Sequence, residues 1–360
     1  MLWDLFEINS SKKIFHANYI ENIFDEQVQN SLPYVVRTTK NNWTRWFIVE
    51  DEKYANSGNT LSFAQDTFSV FYQKQKYFTG NKVKVLKAKF KNKSERVMQY
   101  LTSSFQKSLE NLTWWTWSTI DTISETKIQL PTKNGEIDFD FIEKFVAELE
   151  AERVAELEAY LMATGLKDYA LSDEEQRVLE EFEGGKFEWR EFTYKNIFNQ
   201  IKQGRRLKKD DQLPWNIPFV MAGTTNTWVV NYISNPVASF SKNSITIDIF
   251  WNTFYRNYDF WAGDDTGVYR NDKKEYSKKL MLYFTTSMWK SLFGKFDFWK
   301  KLRSSQSLDF KMKLPTQRNQ PDYYIMETLI SAIQKLVIKD VVLYADRKIE
   351  ATRDVVERDT

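Results

Sequence analysis

Polar and apolar residues alternate along Asn59-Thr60-Leu61-Ser62-Phe63 and again along Lys82-Val83-Lys84-Val85-Leu86. That is the period of strands with one buried face. Gly58 and Gly80 supply turn positions between them. From Arg96 to Glu110 the period lengthens, with Val97, Leu101, Phe105 and Leu109 at fourfold spacing, and an amphipathic helix is predicted. Pro131 stops this block, so residues 1–131 read as a mixed α/β unit with many short strands.

A different pattern follows. Asp138 to Ala163 is built from good helix formers, with Asp138 and Asp140 at the end where negative charge suits the helix dipole. A second apolar stripe runs through Val154, Leu157 and Leu161, and Gly165 is a natural C-cap. Residues 167–185 are polar, end in Gly184-Gly185, and read as a linker or a small helix plus turn. After a second mixed block, another long helix is predicted from about Tyr323 to Val356. Its stripe of Met326, Leu329, Ile333, Leu336 and Leu343, widened by Ile330, Val337 and Tyr344, needs a partner. At ~1.5 Å per residue such helices span roughly 38–52 Å, enough for a rod between two domains.

The second mixed block repeats the first. Leu130-Pro131-Thr132 returns as Leu314-Pro315-Thr316, and Met98-Gln99-Tyr100-Leu101-Thr102-Ser103 as Met281-Leu282-Tyr283-Phe284-Thr285-Thr286. Leu32-Pro33-Tyr34-Val35 is echoed by Ile217-Pro218-Phe219-Val220, and Asn41-Asn42-Trp43 by Asn226-Thr227-Trp228. The offset drifts only between 183 and 185, and a unit this long is not a solenoid repeat. Two similar domains suit a ligand with two similar parts. The expected organisation is a first domain over 1–135, a central helix and linker over 136–185, a second domain over 186–318, and a C-terminal helix over 319–360.

Charge divides along the same lines. Residues 136–183 hold sixteen acidic against four basic residues, whereas 1–135 hold 18 basic against 13 acidic and 186–318 hold 23 against 12. Basic blocks favour a polyanion, although a solvated lysine surface gives the same count. The absence of cysteine and the single His16 exclude a disulfide framework, a zinc ribbon and Cys–His nucleophilic chemistry. With 42% apolar and 16% aromatic residues the chain is not disordered. It lacks a long apolar run and a signal-peptide pattern, so the cytoplasm is the expected compartment.

Leu130-Pro131-Thr132-Lys133-Asn134-Gly135-Glu136-Ile137-Asp138-Phe139-Asp140-Phe141, continuing through Ala147-Glu148-Leu149-Glu150-Ala151-Glu152-Arg153 to Ala163-Thr164-Gly165-Leu166-Lys167-Asp168-Tyr169, resembles the central helical region of specificity (S) subunits of type I restriction-modification systems. Phe6-Glu7-Ile8, Leu32-Pro33-Tyr34-Val35-Val36-Arg37-Thr38 and Tyr77-Phe78-Thr79-Gly80 resemble their target-recognition domains. The likeness covers essentially the whole chain. It implies an α+β fold of two globular recognition domains, separated by two long helices packed antiparallel as a coiled coil. Each domain would read half of a bipartite DNA site. The helices would set the spacer and dock adenine methyltransferase (modification) subunits, to which a translocating nuclease (restriction) subunit is added. The chain departs from the pattern in having no helix before Trp3, which leaves one long helix after each domain.

Base reading needs Arg, Lys, Asn, Gln, Ser or Thr in a groove, beside cations that hold phosphates. The candidates are Thr38, Thr39, Lys40, Asn41, Asn42 and Arg45, then Gln65, Asp66 and Thr67, and in the second domain Thr224, Thr225, Asn226 and Thr227. Asn and Thr there equally form plain turns. For phosphates the sharpest cluster is Arg205, Arg206, Lys208 and Lys209. A second is Lys82, Lys84, Lys87, Lys89, Lys91 and Lys93, which an exposed edge strand would also explain. Trp114, Trp115 and Trp117 could stack on bases or serve as core.

Little points to catalysis in this chain. There is no P-loop, and the nearest approach to an amino-methyltransferase Asn/Asp-Pro-Pro-aromatic site, Asn235-Pro236-Val237-Ala238, lacks the second proline and the aromatic residue. A non-catalytic reader is therefore expected, without cofactor or metal of its own, its partner methyltransferase using S-adenosylmethionine. The alternatives are the recognition subunit of a type IIB-like enzyme, and a two-domain interaction scaffold that binds no DNA.

Overall fold

The computed structural model describes residues 1–37, 41–110, 123–223, 225–297 and 299–358, with side chains to residue 351. The chain divides into two compact units, residues 1–157 with 348–360, and residues 158–347.

In the first unit, β1 (Phe6–Ser10), β5 (Thr60–Ala64), β6 (Ser69–Gln73) and β8 (Val83–Ala88) form an antiparallel sheet in the order β1-β8-β5-β6. A second sheet orders β2 (Ile23–Phe24), β4 (Thr44–Ile48), β3 (Leu32–Val35) and β7 (Phe78–Thr79) as β2-β4-β3-β7, with β3 and β7 parallel. Helix α2 (Glu95–Ser108) contributes Val97, Met98, Leu101 and Phe105 to a core with Leu61, Phe63 and Leu86 of the first sheet. Val35 and Trp43 share a separate cluster with Ala64, Val83 and Val85. Strand β5 thus serves cores on both of its faces, and every one of its residues is buried.

The second unit repeats this plan. Strands β12 (Gln200–Gln203), β16 (Ser244–Asp248), β17 (Thr253–Arg256) and β19 (Thr266–Arg270) pair as β12-β19-β16-β17. Strands β13 (Pro214–Val220), β14 (Val229–Ile233), β15 (Ala238–Phe240) and β18 (Phe260–Ala262) pair as β14-β13-β18-β15. The two units differ at the edge of this second sheet, where β2 flanks β4 in one and β15 flanks β18 in the other. The helix here is Lys278–Leu292, and its cap repeats that of α2: Ser94 and Ser277 each accept from the backbone N–H three residues on, at 3.2 Å.

Each Leu-Pro-Thr motif opens a hairpin that launches a long helix. Pro131 O accepts from Asp138 N at 3.0 Å and Pro315 O from Asp322 N at 2.9 Å. The Asp138 and Asp322 carboxylates then cap Phe139–Ala163 and Tyr323–Arg358 through the N–H groups of Phe141 and Ile325. Within the first unit Arg96 holds Glu143 at 3.3 Å and Glu150 at 3.1 Å. Within the second, Lys167 bridges Glu158 and Asp346, and Lys335 reaches Asp168 and Glu175, so the chain past Ala163 descends as the last helix is read backward. Residues 173–183 form a helix opened by a Ser172–Glu175 capping box, and Gly165 takes the left-handed C-cap at φ +68°. Among the described residues no helix is long and apolar enough to cross a membrane.

Four expectations change. Gly58 and Gly80 serve close approach: a Cβ would lie 2.6 Å from Lys74 O at the first and 3.0 Å from the Tyr34 hydroxyl at the second, while the left-handed turn positions fall to Asn59 and Lys82. Strand β8 is internal, so its lysines do not guard an edge, and Lys84 and Lys87 alternate to opposite faces. Leu2–Leu5 forms one helical turn, with Leu2 buried. In the last helix Met326, Leu329, Ala332, Val342 and Ala345 are buried, whereas Ile333 and Leu336 of the expected stripe are exposed. The tryptophans at 114, 115 and 117 lie outside the described residues.

Candidate nucleic-acid interface

The turn between the first two long strands of each second sheet has an unusual backbone. Asn41, Asn42 and Trp43 have φ of 50°, 48° and 64°, and Asn226, Thr227 and Trp228 have 49°, 46° and 71°. Three successive left-handed residues with side chains cost roughly 1–2 kcal/mol each, so their surroundings must impose them. Trp43 and Trp228 are buried at 0% and 1% exposure and anchor the last position. Their carbonyls accept from Val36 N at 3.0 Å and Met221 N at 3.2 Å. The Asn41 and Asn226 amides bond Thr44 O at 3.2 Å and Val229 O at 3.3 Å. Both indole Nε1 atoms are buried with no acceptor among the described residues, so shape and not polar satisfaction selects tryptophan here. The turns leave Asn41, Asn42, Thr225, Asn226 and Thr227 exposed.

A buried donor sits beneath each turn. Gln73, 4% exposed, gives Nε2 to Asn42 O at 3.3 Å and to Ser62 Oγ at 3.0 Å. In the second unit the donor is Arg256, 1% exposed. Its Nε meets Thr246 Oγ1 at 3.0 Å, Nη2 meets Thr227 O at 2.6 Å, and Nη1 meets Thr227 Oγ1 at 3.3 Å and the Tyr258 hydroxyl at 2.9 Å. The guanidinium lies 5.4 Å from the Phe254 ring centre, has no carboxylate partner among the described residues, and is pulled below its ordinary pKa by burial.

The loop leading into each turn is fastened to the first sheet. In the first unit Asp66, on the turn after β5, pairs with Arg37 and lies 3.7 Å from Lys82. This draws the loop at 37 and the turn at 65–67 together. Gln65 is half-buried, Arg45 is exposed with its guanidinium 4.1 Å over Trp46, and the exposed Thr67 hydroxyl meets Ser69 Oγ at 2.6 Å. In the second unit Asp265 Oδ2 accepts from Ala222 N at 2.9 Å. Asp248, 1% exposed, accepts from Phe250 N at 2.8 Å and Asn252 N at 2.9 Å. Burial pushes Asp248 up to about 7 against those N–H groups, and burial raises Asp265 as well.

The basic segment lies beside the same loop. Gly204 packs so closely that a Cβ would fall 2.1 Å from Gly263 O, and Arg205 N donates to Ala262 O at 2.9 Å. Gly263 N in turn bonds Val220 O at 2.9 Å, just ahead of the second turn. Arg205, Arg206, Lys208 and Lys209 are exposed and have no carboxylate partner among the described residues. The strand registers Ser10↔Lys84 and Gln203↔Gly267 make Lys12 and Lys13 the counterparts of Arg205 and Arg206. Two lysines at an offset of 193 carry no signal in the sequence. Leu213, Trp215, Val230 and Tyr232, exposed by 60%, 68%, 49% and 48%, form an apolar patch on β13, β14 and the approach to them. Only the surplus of apolar residues along 229–233 hints at it. Thr38, Thr39, Lys40 and Thr224 lie outside the described residues.

The sequence matches the family described as type I restriction modification DNA specificity domain twice, over residues 1–159 and 187–343. It is 24% identical over 346 residues to the specificity subunit S.BcgI of the type II restriction enzyme BgcI from Heyndrickxia coagulans, with 94% of each chain aligned. Among solved structures, the S subunit of a type I restriction-modification system from M. genitalium superposes with a TM-score of 0.59 at 15% identity, covering 99% of this chain and 93% of that one. Two matches in tandem, on two units of one plan, make this chain a member of the type I restriction-modification DNA specificity family.

Proposed function

We propose that this chain reads a bipartite, asymmetric DNA site for a type I restriction-modification complex, one half-site per domain. The observation that carries this reading is the duplicated left-handed turn: each domain holds exposed Asn or Thr side chains on a strained, over-determined backbone, close to cations that have no carboxylate partner among the described residues. Phosphates would be held by Arg205, Arg206, Lys208 and Lys209, with Lys12 and Lys13 in the first domain. Base edges would meet Asn41, Asn42 and Arg45 in one domain and Thr225, Asn226 and Thr227 in the other, with Thr38, Thr39, Lys40 and Thr224 as further candidates. Asp66 serves as the anchor of its loop.

The partners are modification subunits that methylate adenine with S-adenosylmethionine and a translocating nuclease subunit, all in the cytoplasm. The chemistry resides in those chains, and the long helices set the half-site spacing and dock the methyltransferases. A second reading has a specific support. S.BcgI, alike over 94% of both chains, is the specificity subunit of a type II enzyme. The partner in that case carries both methylation and cleavage.

Pull-down of the tagged protein from its host, followed by DNA-site selection on the complex, tests both. An adenine methyltransferase and a split motif with a fixed gap are expected, and the partner's domain content separates the two systems. Absence of both methyltransferase and selected DNA would overturn the proposal. Inserting about four residues, roughly one turn, into the long helices should change the gap and leave the half-site letters alone. Altered letters would sink the spacer role.

A further inference from the structure

Gln73 and Arg256 occupy one position in the two domains. Each ends the second strand of the β5–β6 or β16–β17 hairpin, bonds the hydroxyl of Ser62 or Thr246 on the neighbouring strand, and donates to the carbonyl of the middle left-handed residue. Neither can touch DNA itself, because they are 4% and 1% exposed. Each nevertheless stands directly behind a residue on the candidate reading surface.

The side chain of that middle residue is also constrained, with opposite polarity. Asn42 gives its Nδ2 to Tyr72 O at 2.9 Å, which turns Oδ1 outward as an acceptor. Thr227 Oγ1 accepts from Arg256 Nη1, which leaves its own O–H as a donor. A buried guanidinium without an anion is costly, and a neutral side chain does the same work in the first domain. What the arginine adds is the second bond, to the Thr227 hydroxyl.

We propose that Gln73 and Arg256 are positioning residues for DNA reading, each fixing the turn before it so that Asn42 presents an acceptor and Thr227 a donor. This rests on the reading of the chain as a DNA-recognition subunit.

The test uses the complex assembled with its own partners, site selection, and affinities for the selected duplex and for duplexes changed at single base pairs. Arg256→Met, unbranched, apolar and without donors, should lower discrimination at the second domain's half-site by about tenfold or more at one or two base pairs. The first half-site and affinity for unrelated DNA should stay as they were. Arg256→Gln restores the bond to the turn carbonyl, as Gln73 makes it, but not the bond to the Thr227 hydroxyl, and should recover part of that discrimination. Gln73→Met should transfer the defect to the first half-site, and as a neutral exchange it keeps the test open should Arg256→Met not fold.

Folded variants that keep their discrimination would overturn the assignment. So would an Arg256→Gln as defective as Arg256→Met, or a uniform loss of affinity for all DNA. A wild-type complex that selects no DNA would instead refute the function on which the inference rests.

Discussion

Replacing Arg205, Arg206, Lys208 and Lys209 by Ala should flatten the salt dependence of DNA binding. All four side chains are exposed, and among the described residues none is held by a carboxylate. Each is therefore free to displace a condensed counterion from a phosphate. On B-DNA each such contact contributes about 0.9 to the slope of log affinity against log salt, so four contribute at most about 3.6. Between about 50 and 200 mM salt the wild-type complex should then lose up to about 150-fold more affinity than the variant.

The assay is fluorescence anisotropy of the assembled complex on its selected duplex across that salt range, repeated on an unrelated duplex. The same change in slope is expected on both, because phosphate contacts carry no sequence information. A control comes from lysines already engaged within the chain: Lys195 lies 2.5 Å from Asp309 and Lys311 lies 3.1 Å from Glu191. Removing those two should leave the slope as it is. Parallel lines for wild type and the fourfold variant, whatever their intercepts, would take the 205–209 segment out of the interface. A change confined to the cognate duplex would mean that it reads bases.

Three further outcomes follow from the cores. Asp248, pushed up to about 7 from the usual 3.8, stabilises the second domain fully below about pH 4, and that contribution is lost as pH rises through about 7. Melting temperature should accordingly fall between pH 5 and pH 8, and Asp248→Asn, which keeps an acceptor for Phe250 and Asn252, should remove most of the fall; an equal drop in the variant would clear Asp248. Gly204→Ala places a methyl 2.1 Å from Gly263 O and should cost at least the roughly 1–3 kcal/mol typical of overpacking, read by thermal melting; an unchanged melting temperature would contradict the packing. Trp228→Phe removes a buried N–H that has no acceptor among the described residues, so it should cost far less than Trp228→Ala, for which about 3–5 kcal/mol is expected; equal losses by chemical denaturation would count against that account.

Side-chain period carried much of the fold but not its layering. Alternation along 59–63 and 82–86 located two strands, yet it cannot distinguish an edge strand from an internal one, because that depends on partners far along the chain. The repeat located the turns at Asn41 and Asn226 but not their handedness. Asn tolerates the left-handed region, whereas Thr227 and Trp228 are poor residues for it, and only packing of the indole and the bond from below hold them there. Arg256 was equally hidden. In Thr253-Phe254-Tyr255-Arg256 a terminal arginine reads as an exposed charge, and its burial arises from a turn almost thirty residues upstream in sequence.

The places where the two halves agree and differ bear directly on what they read. The agreement lies in what makes the turn: the left-handed triplet, the buried indole, the Asn amide that closes the loop, and the serine-capped helix behind the sheet. The differences lie in what the turn offers. The loop is fastened by an Arg37–Asp66 pair in one domain and by a backbone N–H to Asp265 in the other. The buried donor is an amide in one and a guanidinium in the other, and the edge strand of the second sheet changes sides. A frame kept constant while the polarity of its displayed groups is exchanged will not accept the same base pairs twice. Site selection on the complex should therefore return two different half-sites, and a perfect palindrome would mean that these differences do not reach the DNA.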